Sequence, residues 1–369
     1  MVNKITFKNF KLFKRKQTLE LKPITLLIGK NNTGKSAVLR LPTLIAVGLK
    51  GEPLNWVNKI GNDRENSIEL GSDFKDLVYN RNGTGIIELG IFNANTHIEV
   101  AINEEYGVLS YLLNGENRED ISSVKGLLIH KKPYEDLTLA IDYLGAMRAE
   151  PAYDYPFSEE IYSKIGIKGQ NAYPILIQDF KNQQKLIPQV SEWYKLNFEG
   201  WKLLVLENKT ITGITHQVAI THSHINAVNL KQTGQGIYQV LPLIVRSFMK
   251  EQEPTLIIIE EPETHLHPAA HGNLAERLVD SYREDNNKQY LIETHSQNFV
   301  LRMRRLVAEG KLNKEELAIY YVDFDEVTSE SNLIEIEVDE DGEVEWWPSG
   351  IFNESLAEVI ELRKAQDSK

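Results

Sequence analysis

The apolar run Ile24 to Ile28, followed directly by Gly29-Lys30-Asn31-Asn32-Thr33-Gly34-Lys35-Ser36, constrains this chain more than any other feature. A buried strand, a G-x-x-x-x-G-K-S turn and a helix have to follow one another, and that order commits the segment to an α/β layer. Each residue type has a chemical reason. Glycines leave backbone N–H groups free to wrap phosphate oxygens, Lys35 brings a point charge to β- and γ-phosphates, and the Ser36 hydroxyl is a ligand for Mg²⁺. A helix starting near Gly34 and running through Ala37-Val38-Leu39-Arg40 adds the positive end of its dipole. The octet predicts a nucleoside triphosphate site.

At 369 residues the chain exceeds one comfortable hydrophobic core, so two or three subdomains are expected. The absence of cysteine excludes disulfides and thiolate metal sites. No apolar h-region opens the chain and no 18-residue apolar run occurs, so neither secretion nor a membrane span is expected and the cytoplasm is the predicted compartment. Charge is uneven. Residues 1 to 50 carry eleven Lys/Arg and one acid, Glu20, a local +10 within a chain of net −12, which leaves −22 elsewhere. A nucleic-acid footprint would therefore be local, and Lys4, Lys8, Lys11, Lys14, Arg15 and Lys16 equally fit a solvated edge near an anionic nucleotide.

Ile5 to Phe13 alternates loosely as a half-buried strand does, and Leu19 to Leu21 continues the pattern before Pro23, so a strand pair is expected ahead of the phosphate loop. Turn-rich polar segments follow at 51–53, 61–63, 71–73 and 80–83. With β-like runs at Ile86 to Ile91 and His97 to Ile102 they predict an antiparallel β lobe over about 65–140. Residues 157–200 read as helical, in the pieces Glu159 to Ile165, Tyr173 to Leu186 and Gln189 to Leu196, with Trp193 and Trp201 as core anchors. The β stretch Ile211 to Ile220 leads on to His222 and His224, which would share a face with His216. Strand alternation alone produces such a trio, so no metal is assigned to it.

Thr255 to Glu261 is a continuous apolar strand ending in two carboxylates, as a buried parallel strand delivering acids to the edge of a sheet would read. One of Glu260 and Glu261 is expected to hold Mg²⁺, directly or through water, and the other to orient and deprotonate the attacking water. A similar strand from Gln289 ends in Thr294-His295-Ser296, where His295 can bond a γ-phosphate.

This ordered set of motifs resembles the ATP-binding-cassette ATPases of the SMC, RecF and OLD (overcoming lysogenisation defect) kind along nearly the whole chain. The resemblance implies an ABC-ATPase head: an α/β fold with a mixed β-sheet core, an antiparallel β lobe and a helical insertion, using ATP and Mg²⁺. It implies nucleotide contacts from Gly29, Asn31, Asn32, Thr33, Gly34, Lys35, Ser36 and Ala37, with an aromatic near Phe13 beside the base. Glu260-Glu261-Pro262-Glu263-Thr264-His265-Leu266-His267-Pro268 matches the Walker B and D-loop, with Glu260 where transporters usually have Asp, Glu261 as general base, and His265 and His267 as interface or turn residues. Gln232 to Pro242 resembles the signature element, followed by a helix from about Tyr238 through Phe248. It carries Thr233, Gly234 and Gly236, although no Leu-Ser-Gly-Gly-Gln is present. A Gly-rich turn on a helix N-terminus without its own lysine suits the completion of another subunit's phosphate pocket. His295 takes the switch position, and Arg148, in the Tyr143 to Pro151 interval, is a candidate phosphate contact with a structural ion pair as the alternative.

The expected segments are an N-terminal core half at 1–60, the β lobe at 61–142, a Q-loop-like segment with helical insertion at 143–228, a second core half at 229–325 and a C-terminal cap at 326–369, the last with a hairpin turning at Asp341-Gly342 and a short helix. The resemblance further implies an ATP-sandwich homodimer or larger assembly. It would serve a separate effector such as a Toprim-type nuclease in a bacterial antiphage or toxin-antitoxin module. A RecF-like DNA-repair ATPase is the alternative, and a transporter subunit is disfavoured by the long interval between Ser36 and Thr233.

Overall fold

The structure is a computed structural model and describes residues 1–52, 57–59, 67–105, 107–129, 134, 136–183, 185–211, 213–352 and 354–367. The turn expected at 61–63 and the 60/61 boundary lie outside these residues.

The organising element is a six-stranded mixed sheet in the order Ala140–Leu144, Thr255–Glu260, Lys288–Glu293, Ile24–Ile28, Leu317–Asp325, Glu330–Ile336. The first five strands are parallel and the last is antiparallel. Its apolar runs are continuous because both faces are covered. Ile24, Leu26, Ile28, Ile257, Ile259, Tyr290 and Ile292 face one core, while Leu27, Leu256, Ile258 and Leu291 face the other. The first core is closed by the helices Ala172–Asn182, Leu241–Phe248, Pro268–Glu284 and Gln297–Ala308, and the second by the helix Lys35–Gly48 and an antiparallel sheet.

That antiparallel sheet runs Gln17–Glu20, Lys4–Lys8, Ile87–Phe92, His97–Asn103, Gly107–Leu113, Glu116–Asn117. The opening strand pair therefore belongs to the β lobe, joined through Lys4↔Phe92 to Lys8↔Glu88, and the lobe draws on both sides of residue 60. A third sheet centres on the hairpin Lys202–Thr210 and Gly213–His222, against which the helices Ala172–Asn182 and Leu186–Asn197 pack.

Four local expectations need correction. Glu159 to Ile165 is not helical: the Ile165 N–H donates to the buried Asp142 carboxylate at 3.1 Å and Gly166 turns at φ +84°, so tertiary polar contacts override a helix-compatible pattern. The helix expected through Leu186 stops at Asn182, where Gln183 takes a left-handed cap, and restarts at Leu186, where the Asp179 carboxylate accepts from the Leu186 and Ile187 N–H groups. The signature helix begins at Gln235 and is broken at Val240 into Gln235–Gln239 and Leu241–Phe248. In the tail, the Asp341-Gly342 turn forms, with the Asp339 carboxylate accepting from the Asp341 and Glu343 N–H groups, but strand pairing across it is limited to a Val338↔Val344 bridge. Residues 330–336 pair with Leu317–Asp325 instead, and the final helix is 14 residues, Glu354–Asp367.

Candidate functional site

The parallel register lines up the C-terminal strand ends. Glu260 stands opposite Glu293, and Glu293 opposite Leu27, so the strand ahead of the phosphate loop, the Glu293 strand and the Glu260 strand deliver their polar termini to one edge. There they line a cavity of about 500 Å³ shared by Lys11, Leu12, Asn31, Asn32, Gly34, Lys35, Ser36, Ala37, Arg40, Glu261, Glu293 and His295. That size suits a nucleotide.

The loop geometry depends on its glycines. Gly29 has φ +151° and a Cβ there would stand 2.6 Å from the Val322 carbonyl oxygen of the neighbouring strand. Gly34 has φ +103° and leaves 3.0 Å to the Phe13 ring. Gly34 caps the Lys35–Gly48 helix without any side-chain cap or acid in the first turn, so its leading N–H groups face the cavity with the helix dipole behind them. Thr33 Oγ1 donates to the Lys30 carbonyl at 3.0 Å, and Ser331 Oγ donates to the Thr33 carbonyl at 2.7 Å, so the loop is braced from within and from the last strand.

Lys35 is almost fully buried. Its Nζ donates to the Lys30 carbonyl at 2.7 Å and lies 3.7 Å from Glu293. Burial lowers the Lys35 ammonium, and the nearby carboxylates only partly offset this. Burial likewise raises the Glu293 carboxyl against the pull of Lys35. A triphosphate entering here would give Lys35 a better counter-charge than it has. Burial and the Lys35 charge hold the His295 imidazole below its ordinary value, so at neutral pH it is an uncharged ring able to share a hydrogen bond. Its backbone N–H donates to Glu263 at 2.6 Å, and Thr294 Oγ1 donates to the other Glu263 oxygen at 2.8 Å. Glu263 is buried, and burial raises its carboxyl. Glu261 lies in a left-handed backbone at φ +42° and accepts from Thr264 Oγ1 at 2.9 Å.

The residues fit Mg²⁺ and ATP: free helix-start N–H groups, a lysine in need of an anion, and a serine hydroxyl beside a carboxylate. When bound, the ion would polarise the terminal phosphates.

The expected site residues divide into two groups. The phosphate-loop residues 31, 32 and 34–37, Glu261 and His295 meet at this cavity, with Gly29 and Thr33 shaping the loop behind it. Others do not. Phe13 is fully buried beneath Gly34 and packs edge-on to Phe7, so Lys11 and Leu12, not Phe13, face the space beside the loop. Arg148 is 6 % exposed and its Nη2 donates to the Glu260 and Glu261 carbonyls at 3.0 Å each, which makes it a brace under the strand end and not a lining residue. Glu260 does not line the cavity either. Its Oε1 accepts from Arg40 Nη2 at 2.8 Å, Arg40 Nε at 3.1 Å and the Tyr143 hydroxyl, and its Oε2 accepts from the Ala146 N–H at 3.3 Å. The carboxylate that meets Ser36 is Glu293, to which Ser36 Oγ donates at 3.2 Å. Sequence reasoning passed over Glu293, although an acid closing an otherwise apolar strand was the available signal.

Thr233, Gly234 and Gly236 lie outside this cavity. Thr233 Oγ1 donates to the Leu230 carbonyl at 2.7 Å, and Gly234 faces open space. His267 caps the helix Pro268–Glu284 through its ring nitrogen, and His265 is an exposed left-handed turn residue. Of the histidine trio, His216 is buried near Phe157 and Phe180, and His224 sits in the turn after the strand, so the three do not share one face.

A family model described as an AAA ATPase domain matches residues 1–203 and 158–300. The chain belongs to the AAA ATPase domain family. Residues 312–362 of this AAA ATPase also match a family described as a protein of unknown function (DUF3696). A search of curated proteins returned no match. Among solved structures, the AAA ATPase resembles an SMC head bound to the C-terminal winged-helix domain of ScpA, at 14% identity and TM-score 0.54 over 91% of this chain and 98% of that one. An SMC head with an extended coiled coil, bound to the C-terminal domain of ScpA derived from Pyrococcus furiosus, matches at 13% identity and TM-score 0.49, over 98% and 99% of the two chains. The first likeness supports the mixed-sheet ABC-ATPase head fold, and the family match supports an ATPase domain. No helix among the described residues is long and apolar enough to cross a membrane.

Proposed function

We propose that the protein hydrolyses ATP as a face-to-face homodimer in the cytoplasm, each site taking its phosphate loop, Glu261 and His295 from one subunit and the Thr233 to Gly236 turn from the other. The observation that carries this reading is the separation of the two halves. The turn is exposed at Gly234 and Gln235, opens on free space at Gly234, and contributes nothing to the cavity that holds Lys35 in its own chain. Glu261 serves as general base and neutral His295 as the γ-phosphate contact, while Lys35 leaves its carbonyl and carboxylate partners for the phosphates. ATP then acts as the glue between subunits, and hydrolysis releases them.

In this reading the dimer holds or releases a separate effector, such as a Toprim-type nuclease, in an OLD-like antiphage or toxin-antitoxin module. The RecF-like alternative drew on the basic first 50 residues, and their surroundings weigh against it. Lys8 pairs with Glu88, Lys14 and Arg15 with Glu330, Lys16 with Glu99 and Lys22 with Glu335, so four of the protein's own acids offset part of the local +10.

The test is Glu261→Gln followed by light scattering in saturating ATP and Mg²⁺. The variant is expected to bind ATP, turn over poorly and accumulate dimer, and a species that stays monomeric would refute the sandwich. Lys35→Ala is expected to lose nucleotide affinity and dimer together.

A further inference from the structure

Two carboxylates end adjacent parallel strands at the nucleotide edge, and only one is available. Glu260 is consumed: one of its oxygens already accepts from two Arg40 nitrogens and the Tyr143 hydroxyl, and the other from a backbone N–H. A carboxylate has about four lone-pair positions, so little capacity remains for a cation, and the Arg40 guanidinium stands where one would have to approach. Glu293 is the opposite case. It lines the cavity, and its Oε2 lies 3.2 Å from Ser36 Oγ. Two neighbouring ligands of an octahedral Mg²⁺, each at about 2.1 Å, stand about 3 Å apart, so this pair already has the spacing of a shared ion. No residue of the Tyr143 to Pro151 interval, where the resemblance puts a Q-loop, lines the cavity to offer a competing ligand.

We propose that Glu293, paired with Ser36, is the carboxylate that holds the nucleotide's Mg²⁺ in this protein, and that Glu260 is a structural acid locked by Arg40 and Tyr143. The inference rests on the ATPase reading of the phosphate loop and assigns a residue within it. It also gives Glu293 a second position. Without nucleotide it neutralises Lys35 from 3.7 Å, and with nucleotide it exchanges that partner for the ion while Lys35 goes to the phosphates.

The experiment is a fluorescence titration with N-methylanthraniloyl-ATP, in Mg²⁺ and in EDTA, on the wild type, Glu293→Gln and Glu260→Gln. The wild type is expected to bind more tightly with Mg²⁺. Glu293→Gln is expected to lose at least tenfold of that Mg²⁺-dependent gain while binding equally well or better in EDTA, because a negative charge beside the triphosphate has gone. Glu260→Gln is expected to keep the gain. Equal weakening of Glu293→Gln in both buffers would mean that Glu293 merely positions Lys35, and would overturn the proposal. Retention of the full gain in Glu293→Gln, or its loss in Glu260→Gln alone, would overturn it as well. A wild type that binds no nucleotide in either buffer would instead refute the underlying ATP-site reading. Should Glu293→Gln fail to fold, Glu293→Asp replaces it: its Mg²⁺ gain must fall while its EDTA affinity holds, and an unchanged gain would overturn the assignment.

Discussion

Removing the Glu263 carboxylate tests whether His295 is placed by its neighbours or by its own packing. Glu263 is buried at 8 % exposure and accepts from two donors that face no other acceptor in its place, the His295 N–H at 2.6 Å and Thr294 Oγ1 at 2.8 Å. Glu263→Ala strands both. A buried donor left unpaired costs about 1–3 kcal/mol, so the loss of stability should be about 2–6 kcal/mol. Glu263→Gln is milder, because its amide oxygen can still accept from His295 while its NH₂ donates to the Thr294 hydroxyl, and about 1 kcal/mol is expected. Turnover should follow the same order. A catalytic group displaced by about 1 Å loses on the order of 10²-fold in rate, so Glu263→Ala should fall by that factor at saturating ATP with little change in nucleotide affinity. Urea unfolding and steady-state phosphate release measure the two quantities. A Glu263→Ala protein within about 1 kcal/mol of wild type and turning over at the wild-type rate would refute the argument, since the two hydrogen bonds would then position nothing.

Other outcomes follow from neighbouring features. Gly29→Ala should abolish nucleotide binding and cost about 1–3 kcal/mol, because its methyl would meet the Val322 carbonyl at 2.6 Å on a backbone at φ +151°; nucleotide titration and thermal melting check this. Lys288 is 2 % exposed and hydrogen-bonded to the Ser247 carbonyl and Ser281 Oγ, and burial followed by the Arg246 charge pushes its ammonium down to about 7. The unfolded chain therefore binds more protons between about pH 7 and the ordinary lysine value near 10.4, and this residue makes stability rise with pH across that window by at most about 1.4 kcal/mol per unit. Lys288→Met should flatten that rise in urea unfolding between pH 7 and 9, and an unchanged slope would count against it.

The parts legible in the sequence were those in which chemistry and chain order coincide. The phosphate loop, the Thr255–Glu260 strand with Glu261 and the Thr294-His295-Ser296 end are each contiguous in sequence and reach the expected edge of the sheet, although Glu260 itself is held away from the cavity. What escaped depends on neighbours far along the chain. Glu293 acquires its position from strand order, 257 residues from Ser36. Phe13 became a support under Gly34 because the turn from Phe10 to Phe13 folds inward, and Asp142 drew residues around 165 out of a helix. The strands within residues 4–20 pair into the sheet of Ile87–Phe92, so boundaries drawn from composition miss how the lobe is joined.

Gly236 has room for no side chain: a methyl there would come within 2.6 Å of the His265 carbonyl oxygen, four residues beyond Glu261. Main chain thus leans on main chain between this turn and the segment that follows Glu261. In the proposed symmetric pair each such contact would tie the turn that completes one site to the segment following Glu261 in the other, so the two sites would share a direct main-chain link.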